Sequence, residues 1–148
     1  MDINDINQLT GKFDLVYSSL AFHYIQDFSA LVRNIYQKLN DGGKLLYSQE
    51  HPINTATEGV FNFDEKGRAL SYTFSDYGRG GKREVTWFVN GVEKYHRPMG
   101  EIVTEIANAG FTIEKLVEPL PDKTALAMSS SLAKESIRPS FLLIRARK

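Results

Sequence analysis

Residues 13–48 constrain the chain more than any other stretch. Phe13-Asp14-Leu15-Val16-Tyr17-Ser18 is a short apolar run with one acidic interruption, which predicts a buried strand. Asp27 then offers a helix N-cap, and Phe28, Leu31, Val32, Ile35, Tyr36 and Leu39 follow at helical spacing. Gly42 and Gly43 are expected to stop that helix, one of them in the left-handed cap conformation. Leu45-Leu46-Tyr47, within 44–48, is too short for a helix between Gly43 and Pro52 and reads as a second strand. Strand, helix and strand in so few residues form a βαβ unit, so the two strands should be parallel. That sets the fold class as α/β.

The middle of the chain departs from this rhythm. Aromatics at 61, 63, 72, 74 and 77 flank the turn Asp64-Glu65-Lys66-Gly67 and predict a hairpin. Residues 85–89 and 92–96 flank Asn90-Gly91, a two-residue hairpin signal. Residues 54–97 therefore read as a β-rich insertion over one edge of the sheet. The rhythm returns with Pro98 at a first helical position, Ile102, Val103 and Ile106 on one face, and Gly110 as the stop. Residues 111–117 read as a strand, and 120–138 as a mobile loop. Phe141-Leu142-Leu143-Ile144 carries no polar alternation, so a central strand covered on both faces is expected. Nothing marks a second domain within 1–148, and only four main-sheet strands can be counted.

Composition excludes several functions. Lys and Arg number 18, as do Asp and Glu, so no basic excess suggests a nucleic-acid clamp. Gly78-Arg79-Gly80-Gly81-Lys82 reads as a flexible turn; a single-copy RNA contact there is a poor second. No cysteine is present, which removes thiolate metal sites and cysteine nucleophiles. The three histidines lie 28 and 45 residues apart, without a paired-ligand spacing, so no metal site is expected. Ser18-Ser19 lacks the G-x-S-x-G elbow of a serine hydrolase. No apolar run reaches the length of a membrane span, and residues 1–12 are polar and acidic. The cytoplasm is the expected compartment.

The stretch Phe13-Asp14-Leu15-Val16-Tyr17-Ser18-Ser19-Leu20-Ala21-Phe22-His23-Tyr24-Ile25-Gln26-Asp27 resembles the fourth-strand motif of class I S-adenosylmethionine-dependent methyltransferases. The methyltransferase type 11 group of small bacterial proteins is the nearest in pattern. Leu39-Asn40-Asp41-Gly42-Gly43-Lys44-Leu45-Leu46 is similar to that family's L-x-P-G-G-x-L turn, with Asp41 in place of proline. Ser48-Gln49-Glu50-His51-Pro52-Ile53, Lys94-Tyr95-His96-Arg97-Pro98, Ala109-Gly110-Phe111, Glu118-Pro119 and Arg138-Pro139-Ser140-Phe141 continue the likeness over nearly the whole chain. The family's glycine-rich first turn has no counterpart, nor do the strand-helix units before the fourth strand, which amount to roughly 100 residues. The resemblance thus implies a partial Rossmann-like methyltransferase domain, its C-terminal portion.

The function so implied is methyl transfer from S-adenosylmethionine to a small-molecule acceptor, with weak or absent activity and cofactor binding by this chain alone. The site should lie beyond the C-terminal ends of the parallel strands. Asn4 and Asp5 resemble the segment facing the adenine. Ser18, Ser19, Leu20 and His23 would border the methionine part of the cofactor, unless the serines merely satisfy a turn. His23 is either a base near the methyl group or a packed histidine. His51 is either a base facing the acceptor, oriented by Glu50, or a loop histidine held by Pro52. Tyr77, Tyr95 and His96 are acceptor-side candidates, with Trp87 as a further aromatic of the insertion, and their alternative is structural. From another class comes a non-catalytic interaction module. It would pair through the exposed strand 13–18 with another copy, as a homodimer, or with a separate N-terminal half.

Overall fold

The computed structural model describes residues 3–57, 59–86 and 88–148. Trp87 lies outside the described residues, as does the side chain of Asn4. A 3₁₀ helix, Ile3–Gln8, leads to strand β1, Phe13–Ser19. A 3₁₀ turn, Phe22–Tyr24, and helix α1, Phe28–Lys38, connect β1 to β2, Leu39–Glu50. Helix α2 is the single turn Pro52–Thr55. Two hairpins follow, β3 Val60–Phe63 with β4 Ala69–Thr73, and β5 Gly81–Val85 with β6 Val92–His96. Helix α3, Met99–Asn108, leads to β7, Thr112–Val117. Helix α4, Lys123–Met128, and a 3₁₀ helix, Ser130–Ser136, precede β8, Phe141–Arg147.

The main sheet has the order β1-β2-β8-β7. β1 and β2 are parallel, as the βαβ spacing required. β8 is antiparallel to both its neighbours, so β7 runs parallel to β2. Asp27 caps α1, its Oδ1 accepting from the Ala30 N–H at 2.8 Å. The predicted stripe is the buried one: Phe28, Leu31, Val32 and Ile35. They meet Leu45 and Tyr47 of β2, Leu142, Ile144 and Ala146 of β8, and Ile102 and Ile106 of α3 in one core. Gly110, at φ 103°, ends the α3 segment as expected, and a Cβ there would lie 2.9 Å from Cζ of Tyr36.

Several expectations need correction. α1 stops at Lys38, and Gly42 and Gly43 lie inside β2. The register between β1 and β2 breaks there, from Phe13 opposite Leu39 to Leu15 opposite Lys44, so Gly42 serves a bulge at φ 80°. Strand β1 is not buried: Leu15 is 54% and Tyr17 66% exposed. β8 is central but covered on one face only. Leu142, Ile144 and Ala146 turn into the core, while Phe141 and Arg145 alternate onto the exposed face. The reason is shared: α1 and α3 bury the same face of the sheet, and on the opposite face Leu15, Tyr17, Leu46 and Phe141 are left exposed. The second hairpin begins earlier than read, so Gly81 and Lys82 belong to β5, and Asn90-Gly91 sits in the longer 86–91 connection. Pro98 is the residue before α3 rather than its first, and 120–138 holds two short helices.

Candidate active site

Because β1 and β2 are parallel, their C-terminal ends, Ser19 and Glu50, finish on the same side of the sheet. β1 leaves that end through Leu20, which adopts φ 53°. A left-handed conformation costs a non-glycine residue about 1–2 kcal/mol. It is held by the Leu20 N–H, which donates to the Ser48 carbonyl at 2.9 Å. The hydroxyls of Ser19 and Ser48 are 3.5 Å apart beside it. Ser19 is exposed and Ser18 half-buried.

The chain then turns inward. Phe22 is fully buried and stacks on Tyr47, ring centroids 4.3 Å apart. That anchor drives His23 beneath the end of β2. His23 Nδ1 accepts from the backbone N–H of Glu50 at 3.3 Å, and its Nε2 stands 3.8 Å from Glu50 Oε1. Lys94 of β6 donates from Nζ to the same Oε1. Burial lowers the His23 pKa to about 4; Glu50 opposes the shift and Lys94 adds to it. His23 is therefore neutral near pH 7. With Nδ1 accepting, the proton sits on Nε2, facing Glu50. The ring is packed, held between the Glu50 backbone N–H and the Glu50 carboxylate.

Glu50 and Lys94 open onto a cavity of about 710 Å³, within the range of small-molecule sites. Phe61 and Tyr72, centroids 4.8 Å apart, form its aromatic side. The Arg138 guanidinium lies 5.2 Å from each ring centroid, and Arg83 enters from β5. Sequence reasoning read Phe61 and Tyr72 only as hairpin residues and placed neither Arg83 nor Arg138 at an acceptor site. The available signal was the aromatic alternation of 61–63 and 72–74.

The other candidates are engaged elsewhere. His51 is oriented by Glu118, not Glu50: its Nε2 lies 2.7 Å from Glu118 Oε1. Its Nδ1 accepts from the Ile53 N–H at 3.1 Å and so caps α2. Glu50 is taken by Lys94 and His23. His96 is fully buried between the Thr55 hydroxyl and the Tyr77 carbonyl, each at 2.9 Å. The Tyr77 hydroxyl accepts from the Met99 N–H at 3.0 Å. Tyr95 borders a separate shallow depression with Tyr24, Gln26 and Asp27. Asp5 is half-buried on the 3₁₀ helix Ile3–Gln8, which packs against α1. No cluster of metal-ligating side chains occurs among the described residues.

Comparison with known proteins bears on the fold and the family. A methyltransferase domain family matches residues 1–47. An S-adenosylmethionine dependent methyltransferase from Mesorhizobium loti superposes with a TM-score of 0.86 at 36% identity, over 97% of this chain and 67% of that one. A candidate S-adenosylmethionine dependent methyltransferase from Listeria monocytogenes gives 0.86 at 32% identity, over 100% and 67%. An uncharacterized protein of Haemophilus influenzae is 38% identical over 141 residues, 93% of this chain. The chain spans about half the length of that relative, 55%.

Proposed function

Since the chain belongs to the S-adenosylmethionine-dependent methyltransferases, we propose that it transfers, or helps a longer protein transfer, a methyl group to a small-molecule acceptor held in the Glu50 cavity. One observation carries this reading. Two parallel strands end side by side at a strained residue, Leu20, and at a carboxylate, Glu50, that lines a cavity of ligand size. Open α/β sheets bind their ligands at that end.

When bound, S-adenosylmethionine supplies a methyl group already activated as a sulfonium. Most of the catalytic task left to the protein is placement. In this proposal Ser18, Ser19 and Leu20 border the methionine end of the cofactor. These residues suit one wall of such a site. The glycine-rich turn that would hold the rest has no counterpart in the sequence, so binding by this chain alone is expected to be weak. Glu50, fixed by Lys94 and His23, takes the acceptor proton if one must be lost. His51, His96 and Tyr77 position the segments around the cavity.

Titration of S-adenosylhomocysteine into the protein, followed on backbone amides by NMR, tests this assignment. The expected result is weak binding with perturbations centred on 18–23. Tight, stoichiometric binding would contradict the weak-binding expectation. Perturbation confined to other segments, or none at millimolar ligand, would overturn the site.

A second reading is favoured by the exposure of β1. Its outer side chains Leu15 and Tyr17 are uncovered, and among the described residues it pairs only with β2 in the main sheet. An open strand edge beside apolar side chains suits pairing with another strand, from a second copy or a separate polypeptide. On this reading the chain is a non-catalytic interaction module.

A further inference from the structure

Arg83 and Lys94 stand directly opposite each other on the antiparallel pair β5–β6. Paired residues of such a ladder share a face, and like charges so placed repel. Both line the Glu50 cavity, and Arg138 enters it from the segment before β8. Glu50 compensates Lys94. Among the described residues, the other two cations are held largely by neutral groups. Arg83 donates to the carbonyls of Ala56, Lys82 and Arg79. Arg138 donates to Asn54 Oδ1 and, at 3.0 Å, to Ser140 Oγ, with the nearest Glu135 oxygen at 4.0 Å. Glu84 borders the cavity but alternates to the exposed face of the hairpin, away from Arg83. Among the described residues, three cations thus meet one inward carboxylate beside two aromatic rings.

Resting on the reading of this cavity as the acceptor site, the geometry points to an acceptor that carries a carboxylate on a planar apolar body. The carboxylate pairs with Arg83 and Arg138, a recognition that guanidinium groups favour. The body lies against Phe61 and Tyr72, which leaves the methylated atom toward Glu50.

The test uses benzoate, benzamide and inorganic phosphate as probes, each titrated into the protein and followed by NMR. Benzoate is expected to bind about tenfold more tightly than benzamide, with perturbations at residues 54–61 and 83–86. Added salt should weaken benzoate and leave benzamide unchanged. R83Q should remove most of the preference. Equal affinity of the two, no binding of either at millimolar concentration, tighter binding of phosphate, or an unchanged preference in R83Q would each overturn the inference. S-adenosylhomocysteine titrated separately keeps the two readings apart. A carboxylate preference without cofactor binding sinks the transferase reading alone, and cofactor binding without the preference sinks the acceptor class alone.

Discussion

His51 Nε2 meets Glu118 Oε1 at 2.7 Å, so a residue just past β2 is tied to one just past β7, with β8 lying between those strands. The same ring caps α2 through Nδ1. His51→Ala is therefore expected to cost about 1–3 kcal/mol, read as a lower urea midpoint at unchanged slope. His51→Asn, which can still cap α2, should recover part of that loss. Equal stability of H51A and the parent protein would remove the positioning role.

Protonation of His23 opposes folding. Its pKa is about 6.5 in an unfolded chain and about 4 here, chiefly through burial. Between those values the unfolded chain binds more protons, so stability rises with pH. The contribution is fully present above pH 6.5 and is lost as pH falls through about 4. His96, lowered first by burial as well, acts in the same direction. Urea midpoints measured from pH 7.5 down to 4.5 should fall in the parent protein and fall less in His23→Gln. Identical slopes would show that His23 does not carry the effect.

Leu20 provides a backbone test. Leu20→Ala and Leu20→Gly both remove the side chain, but only glycine is at ease at φ 53°. The glycine variant should be more stable than the alanine variant by about 1 kcal/mol in urea unfolding. The reverse order would show that the left-handed turn is not retained in solution.

Arg97 locks the second hairpin to the loop before α1. It donates to the carbonyls of Ile25 and Gln26, and its guanidinium lies 5.2 Å from the Phe28 ring centroid. Lysine lacks both the fork and the flat face. Arg97→Lys is expected to cost about 1–3 kcal/mol. A change below about 0.5 kcal/mol would place that lock elsewhere.

Self-association through β1 is open to light scattering. If the interaction reading holds, the apparent mass rises with concentration, and Tyr17→Lys, which places charge on the exposed face, returns it to that of a monomer. A constant monomer mass in the parent protein would remove the homodimer.

Local signals were legible in the sequence, and long-range ones were not. The Asp27 cap, the α1 stripe and the Gly110 stop depend on neighbours a few residues away. Gly42 was misread because a helix cap and a strand bulge both ask for positive φ. An open edge at residues 13–18 was anticipated, but the faces of β1 were misread as buried, because an apolar run looks the same with or without a covering layer. At the site, the parallel pair pointed to the end of the sheet where Leu20 and Glu50 lie. Glu50 was seen only as a partner for His51. Its engagement with Lys94, 44 residues away, and the meeting of Arg138 with Phe61 and Tyr72, arise from tertiary packing that no local spacing encodes.

The placement of β8 between β2 and β7 governs the order of assembly. β2 and β7 have no ladder with each other; both wait for residues 141–147. On a ribosome, β1, α1 and β2 can dock early as a local unit. β7 emerges next and finds no strand of the main sheet to zip onto. Until the arginine-bearing strand β8 is released, β2 and β7 each keep open the edge that β8 will pair.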